Sequence, residues 1–369
     1  MNKGTLISLI AGGAIGGGAG YAGLVFIGIG LPQGLSASEE VLWLWGLFAW
    51  LLVSFAIHII VHEAGHLLAG LRSGYEFVSF RIFSIMFIKK NGKLSRKKFT
   101  VVGTAGQCLL SPPDCPDGKY PYILYNLGGA LANFVLSGIC FAVYAVFNPG
   151  WAGSAFLLCF AGAGLVLGLS NLIPLKMGGI ANDGYNAITL GRQEAARRSF
   201  WLQLRIHALQ TQGVRLRDMP AEWFEVPEDA DLNDVMTASS AILAFSRLVD
   251  LHLFDDAKKW GEHILLTANK LLGVYKNELL CELLFLEIIG ACRKEEIERL
   301  YNKELKAYIK ATSSYVSRQR LLYAYEKLAS GDAVSAQKVR AKFETVCTTY
   351  PNEGEVVSEQ ELVGLIDAI

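Results

Sequence analysis

The sequence predicts an α-helical membrane protein with about four transmembrane helices, a β-hairpin between the second and third, and an all-α cytoplasmic domain. Three observations support this fold class. Hydrophobic residues make up 52% of the 369 residues, and charged residues 18%, where soluble domains carry roughly 25%. The charges are uneven, because residues 1–191 hold 18 of the 68 Lys, Arg, Asp and Glu side chains. Several uncharged runs are also long enough to cross a bilayer, which takes about 20 residues per helix.

The change in composition near residue 191 predicts two domains, a membrane domain over residues 1–191 and a helical cytoplasmic domain over residues 192–369. The formal net charge is zero, which gives no reason to expect nucleic acid as a partner. The seven cysteines include no C-x-x-C pair, so we expect reduced thiols rather than a disulfide framework.

Four apolar segments account for the predicted spans. They run over residues 4–31, 41–71, 121–147 and 154–175. The first is longer than the roughly 7–15 apolar residues of a secretory signal peptide, so we predict a retained helix. The last two are separated by Asn148-Pro149-Gly150, a turn sequence inside a run without charged side chains.

The loop between the second and third spans, residues 72–120, holds nine Lys or Arg residues and three acidic ones. Under the positive-inside rule this loop is cytoplasmic. The protein is then a multi-pass protein of the cell membrane, with both termini in the cytoplasm. Within the loop, β-branched and aromatic residues followed by Asn91-Gly92 predict a β-hairpin over residues 75–103. We expect this hairpin to lie at or dip into the membrane interface, and an ordinary cytoplasmic hairpin is the alternative.

The second span contains two histidines and a glutamate in the stretch IIVHEAGHLLAG (59–70). Ionisable groups at membrane depth are costly and usually mark a functional site. On a helix, His62 and His66 project from one face, where both can bind one Zn²⁺. Glu63 follows the first ligand and is placed to act as general base on the attacking water. These residues predict a buried hydrolytic zinc site with Zn²⁺ as cofactor.

With these residues the sequence resembles the site-2 proteases, a family of intramembrane zinc metalloproteases. The motifs that carry the resemblance are HEAGH (62–66), GGALANF (128–134) and NLIP followed by NDG (171–184), in this order on successive spans. The resemblance implies that the membrane domain is the protease. It also implies that Asp183 is the third zinc ligand and that Asn133 binds the substrate backbone or the oxyanion.

The sequence departs from the family in three places. Ala130 stands where the family has a proline, and eight residues separate Pro174 from Asp183, a longer interval than usual. No PDZ domain is evident, although many bacterial members carry one. The longer interval leaves the third ligand open between Asp183 and His58, which lies one turn before His62. For His58 the alternatives are an outer partner of the metal ligands and a buried hydrogen-bonded histidine. For Asn133 the alternative is an interhelical hydrogen bond, and for Asn182-Asp183-Gly184 it is a turn or a helix N-cap.

Residues 192–369 show helical periodicity throughout, with glycine breaks between short helices. Their Ala-rich helix pairs are similar to tetratricopeptide repeats, and a solenoid of that kind would dock a protein partner. A plain helical bundle fits the pattern equally well.

The predicted function is intramembrane endoproteolysis. The substrates implied by the resemblance are membrane-embedded segments of transmembrane proteins or membrane-bound peptides such as signal-peptide remnants, cleaved within the lipid bilayer. A membrane metal transporter is one alternative, although transport favours polar ligands along several spans. A non-catalytic scaffold that retains the protease fold is the other, and the intact Glu63 argues against it.

Overall fold

The computed structural model describes residues 34–90, 92–101, 104–115, 118–147, 149–177 and 180–369. The first predicted span, residues 4–31, lies outside the described residues. The chain divides into two compact units. The membrane unit contains the described residues up to Phe77 together with Ala105–Cys108 and Pro113–Gln193, and the helical unit contains Val78–Thr104, Leu109–Pro112 and Glu194–Ile369. The last change of unit along the chain, after Gln193, lies close to the predicted boundary at residue 191.

Three helices of the membrane unit are long and apolar enough to cross a membrane. They are α1 (Ala37–Arg72), α2 (Tyr122–Phe147) and α3 (Gly150–Leu172). The described part of the chain thus contains three candidate spans, where four were predicted for the whole chain. Helix α1 has 36 residues, and its length of about 54 Å exceeds the roughly 30 Å hydrocarbon core. It begins beside Ser36, whose backbone N–H donates to the Glu39 carboxylate over 2.8 Å.

Helices α1 and α2 cross in backbone contact at two glycines. A Cβ atom added to Gly65 would lie 2.3 Å from the Gly128 carbonyl oxygen, and one added to Gly128 would lie 2.5 Å from that of Gly65. Small residues allow membrane helices to approach this closely. The crossing explains why HEAGH and GGALANF both carry glycine, and it brings the face of α1 with the two histidines against α2.

A four-stranded sheet lies between α1 and α2 in the sequence, where a single hairpin was predicted. Its strands are β1 (Glu76–Ile82), β2 (Ile85–Lys90), β3 (Lys93–Lys98) and β4 (Gly106–Ser111), in the spatial order β3-β2-β1-β4. The predicted turn joins β2 to β3, and there Gly92 has a φ of 75°, in the left-handed region that favours glycine. The prediction was too small because it recognised neither the tight turn at Phe83-Ser84, which divides residues 76–90 into two strands, nor the short strand Gly106–Ser111.

The part of the sheet within Val78–Thr104 packs with the helical unit. Met86, Ile88 and Phe99 belong to its hydrophobic core. The Lys97 ammonium donates to the Tyr350 carbonyl oxygen over 2.6 Å, and Lys90 forms an ion pair with Glu353. These residues therefore share a core with the C-terminal half of the chain, although the sequence places them between two spans.

The helical unit contains nine α-helices and several shorter turns in the described part of the chain. The helices are α5 (Glu194–Thr211), α6 (Val235–Asp250), α7 (Phe254–Thr267), α8 (Gly273–Ile289), α9 (Lys294–Leu300), α10 (Lys303–Ala311), α11 (Val316–Ala324), α12 (Ala333–Thr349) and α13 (Glu353–Ala368). The last helix packs against the first, since Thr211 donates to Asn352 over 3.1 Å. In an open solenoid each repeat contacts only its neighbours, so this contact favours a closed helical bundle.

Candidate metal centre

Three side chains of the membrane unit converge on one point. His62 and His66 lie on α1, and Asp183 is the first residue of helix α4 (Asp183–Arg192). The Asp183 Oδ2 atom is 3.1 Å from His62 Nε2 and 3.4 Å from His66 Nε2, and the two Nε2 atoms are 3.1 Å apart. The three predicted ligands are therefore brought together from positions about 120 residues apart in the sequence.

The spacing of these three atoms fits a tetrahedral metal ion. Zinc binds nitrogen and oxygen at about 2.0–2.1 Å, and the edge of such a tetrahedron is about 3.3–3.4 Å. The observed separations of 3.1–3.4 Å agree with this edge. The Asp183 Oδ2 atom is also buried without a hydrogen-bond donor in suitable geometry, so a buried anionic oxygen lacks the partner that a cation would supply. The site fits a metal ion.

The backbone of α2 fixes the orientation of His66. The His66 Nδ1 atom is 2.7 Å from the Tyr125 carbonyl oxygen, which can only accept a hydrogen bond. His66 Nδ1 must therefore carry the proton, and Nε2 presents its lone pair toward Asp183 and His62. A backbone carbonyl is a common outer partner of metal-binding histidines. Tyr125 is held in turn by its hydroxyl, which donates to the Cys108 carbonyl oxygen over 3.1 Å.

His62 lies against two residues of the GGALANF motif. A Cβ atom at Gly129 would lie 2.5 Å from the His62 ring, so only glycine leaves room for the imidazole. The other ring nitrogen of His62, Nδ1, faces away from Asp183 and is 3.4 Å from the Asn133 amide. The motif thus shapes the pocket of the first histidine.

Asn133 and His58 lie behind the three predicted ligands. The His58 ring is fully buried, with Nε2 3.0 Å from the Phe160 carbonyl oxygen and Nδ1 3.2 Å from the Asn133 amide. Both of its nitrogens are engaged away from Asp183, which makes it an unsuitable third ligand. Asn133 is fully buried between His58 and His62. The two ends of its amide face the two histidine rings, and the substrate or oxyanion role that the resemblance implies for Asn133 stays a prediction.

Glu63 lies beside the start of strand β4. A Cβ atom added to Gly106 would lie 2.5 Å from Glu63 Oε1 and 2.6 Å from its Cγ atom. The Glu63 carboxylate therefore packs against the backbone of Gly106. Glu63 directly follows His62, the first predicted ligand, and belongs to the same unit. The side chains of His62, His66 and Asp183 are 13%, 11% and 22% exposed, so the centre is enclosed but not sealed from water.

Asn182, which was not among the predicted site residues, positions Asp183. The Asn182 Oδ1 atom accepts from the backbone N–H groups of Leu175 and Tyr185 over 3.0 and 2.9 Å. Its amide donates to the carbonyl oxygens of Ser170 and Ile173, both over 2.6 Å. Asn182 thus caps α4 and ties its start to the end of α3. The signal for it was present, since Asn is a preferred N-cap residue.

The longer interval between Pro174 and Asp183 is accommodated by a small antiparallel pair of strands. These are β5 (Lys176–Met177) and β6 (Ile180–Ala181), with Lys176 opposite Ala181. Because an antiparallel pair returns the chain to its starting point, the added residues do not move Asp183 away from the end of α3.

Two imidazoles and one carboxylate that could hold a metal ion, with a second carboxylate on the neighbouring residue Glu63, form a set typical of hydrolytic metal centres. The arrangement can bind a divalent cation with three ligands and leave one position for water or substrate. Comparisons of the chain with protein families, curated proteins and solved structures found no match.

Proposed function

We propose that this protein is an intramembrane zinc endopeptidase that cleaves membrane-embedded segments of proteins or membrane-bound peptides. The observation that carries the proposal is the convergence of His62, His66 and Asp183 at tetrahedral spacing in a unit of three membrane-length helices. Glu63 supplies the further carboxylate that hydrolysis requires. The likeness of the three sequence motifs to the site-2 proteases supports the same activity.

The residues divide the chemistry between them. His62, His66 and Asp183 would hold Zn²⁺, which polarises a carbonyl group and lowers the pKa of water. Glu63 accepts the proton of the attacking water and then returns it to the leaving amine. The carbonyl of Tyr125 keeps the His66 Nε2 atom free for the metal.

The substrate must present its peptide bond in extended form, because a helix keeps its backbone groups in internal hydrogen bonds. Strand β4 lies at one edge of the sheet, and it begins at Gly106 beside Glu63. An outer strand offers backbone groups to a further strand. We therefore place the unwound substrate beside the start of β4, where its backbone passes the general base.

The proposed topology places both termini in the cytoplasm. It rests on the nine basic residues in the loop 72–120. The contacts of Lys90 with Glu353 and of Lys97 with Tyr350 require the sheet and the C-terminal helices to lie on the same side of the membrane. Two spans, α2 and α3, separate them in the sequence, which satisfies this requirement.

Metal transport fits the structure less well. Among the residues that the structure describes, His62, His66 and Asp183 are the one group of three or more ligand side chains close enough to hold a metal ion. A transport path needs successive sites across the membrane. A zinc flux assay in vesicles separates the two functions, since an endopeptidase does not move zinc across the bilayer.

The test uses the full-length protein in detergent or bilayers with a model transmembrane peptide as substrate. In Glu63→Gln we expect full zinc binding and a turnover lower by about 10²–10⁴-fold. In Asp183→Ala we expect weaker zinc binding and no cleavage. Glu40→Gln, at the exposed start of the same helix, is the matched control and should behave as the wild type. Near-normal cleavage by Glu63→Gln would falsify the assigned base, and chelator-resistant cleavage would exclude the metal mechanism.

A further inference from the structure

A continuous line of polar groups runs from α3 through α1 and α2 to the candidate metal centre. It begins at the Phe160 carbonyl oxygen, 3.0 Å from His58 Nε2. It continues from His58 Nδ1 to the Asn133 amide over 3.2 Å, and from that amide to His62 Nδ1 over 3.4 Å. His58 and Asn133 are both fully buried, so water does not compete for these contacts. The line ends on the ring nitrogen of His62 that faces away from Asp183.

The Phe160 carbonyl oxygen, at the start of this line, fixes which of the following groups donate and which accept. The Phe160 carbonyl can only accept, so His58 Nε2 carries a proton. His58 lies in an apolar span, and its two hydrogen-bond partners, a carbonyl and an amide, are uncharged. Its imidazole is therefore neutral, and Nδ1 is an acceptor. The Asn133 amide must then turn its NH₂ group toward His58 and its oxygen toward His62.

The opposite amide orientation has a different consequence for His62. With Oδ1 toward His58, as the two atoms are placed here, His58 Nδ1 would need a second proton, and Asn133 Nδ2 would donate to His62 Nδ1. The proton of His62 would then lie on Nε2, the nitrogen that faces Asp183. A protonated nitrogen cannot bind a metal ion. The two orientations of one amide, which differ by a 180° rotation, thus correspond to a metal-competent and a metal-incompetent His62.

We propose that His58 is a positioning residue of the metal centre: through Asn133 it keeps the proton of His62 on Nδ1 and leaves Nε2 free for the metal. The inference rests on the proposed metal site and is independent of proteolysis. The packing supports it, because a Cβ atom at Gly164 would lie 2.2 Å from the His58 ring and 2.3 Å from Ser137 Oγ. The ring is therefore enclosed on α3 as well as on α2 and cannot turn freely.

The structure thus gives the two metal-facing histidines different means of control. His66 is fixed directly by the Tyr125 carbonyl, 2.7 Å away. His62 faces an amide, which can donate or accept, so its tautomer depends on what lies beyond that amide. This difference explains why a third histidine lies one turn before the motif without contributing a ligand.

The test measures zinc affinity of the full-length protein in detergent by competition with a chromogenic chelator, without substrate. His58→Leu removes the acceptor for Asn133, and we expect the affinity to fall by at least about tenfold, as for other outer partners of metal ligands. His58→Asn keeps an acceptor near the Nδ1 position and should stay within about threefold of the wild type. Ser137→Ala removes a neighbouring buried hydrogen bond to Ala161, and it should bind zinc normally.

Two further measurements separate positioning from general packing. In the His58→Leu/Asn133→Asp double variant the carboxylate accepts from His62 Nδ1 by itself, so affinity should recover relative to His58→Leu. In metal-free protein labelled with ¹⁵N-histidine, His62 should show a protonated Nδ1 and an unprotonated Nε2, assigned by comparison with His62→Ala.

Several results would overturn the inference. These are unchanged affinity in His58→Leu, an equal loss in Ser137→Ala, no recovery in the double variant, or a protonated His62 Nε2 in the metal-free wild type. Equal zinc binding by the wild type and Asp183→Ala would refute the metal centre and this inference together. Normal zinc binding without any cleavage would refute the proteolytic function and leave the role of His58 intact.

Discussion

The contact between Gly106 and Glu63 allows the general base to be displaced without altering a metal ligand. In Gly106→Ala the new Cβ atom would lie 2.5 Å from Glu63 Oε1 and 2.6 Å from its Cγ atom. Ordinary contacts of this kind are about 3.5–4.0 Å. The carboxylate must therefore move by roughly 1 Å, and it can do so because it is the end of a flexible side chain.

The expected effect falls on catalysis rather than on folding. A catalytic group misplaced by about 1 Å can cost about 10²-fold in rate, so we expect turnover to fall by that factor. The stability cost should stay near the roughly 0.5–1.5 kcal/mol of an off-rotamer side chain, since the clash is relieved by rotation of Glu63. His62, His66 and Asp183 are untouched, and zinc affinity should stay within about threefold of the wild type.

The assay combines peptide cleavage, zinc competition and thermal unfolding on the same preparation. Gly138→Ala is the matched control, because it lies on α2 and an added Cβ there meets nothing within 4 Å. It should cleave at the wild-type rate. Cleavage by Gly106→Ala at the wild-type rate would refute the contact as a constraint on the base. A loss of zinc together with activity would show that the strand supports the ligands instead.

Three further predictions concern the third ligand, the helical unit and the topology. Asn182→Ala removes the side chain that makes four hydrogen bonds around the start of α4. Zinc affinity should therefore fall about tenfold in the chelator assay. An unchanged zinc affinity would contradict the role of Asn182 in positioning Asp183. Burial raises the pKa of Glu355 to about 7 from an ordinary 4.5. The folded state thus keeps a proton that the unfolded state releases, and stability present below about pH 4.5 is lost as the pH rises to 7, by at most about 3 kcal/mol. In thermal unfolding measured from pH 5 to 8, Glu355→Gln should remove this decline in stability. Glu295→Gln, at an exposed site, is the control and should retain the decline. Parallel stability profiles of the wild type and Glu355→Gln would exclude the Glu355 carboxyl as the cause. Reporter fusions should report a cytoplasmic position near residues 95 and 200 and an external one after residues 36 and 150, and an external signal at 95 would reverse the orientation.

The sequence by itself determined the features that depend on local pattern. Apolar length predicted the spans that the structure describes, because a bilayer sets the number of residues that a helix needs. The interval of four residues between His62 and His66 predicted that both imidazoles share one helix face, because the helical repeat fixes it. Asn91-Gly92 predicted the β2–β3 turn from the backbone angles that glycine permits.

Only the tertiary structure decided the features that depend on contacts between distant segments. The convergence of Asp183 with the histidines requires the packing of α1, α2 and α4 and the hydrogen bonds of Asn182, and no local pattern contains this information. The placement of Asn133 between His58 and His62 likewise follows from the crossing at Gly65 and Gly128, which sets how far the two helices approach. The sheet joined the core of the helical unit for the same reason: burial of Phe99 and its neighbours depends on which surfaces meet, and the order of residues along the chain does not specify this.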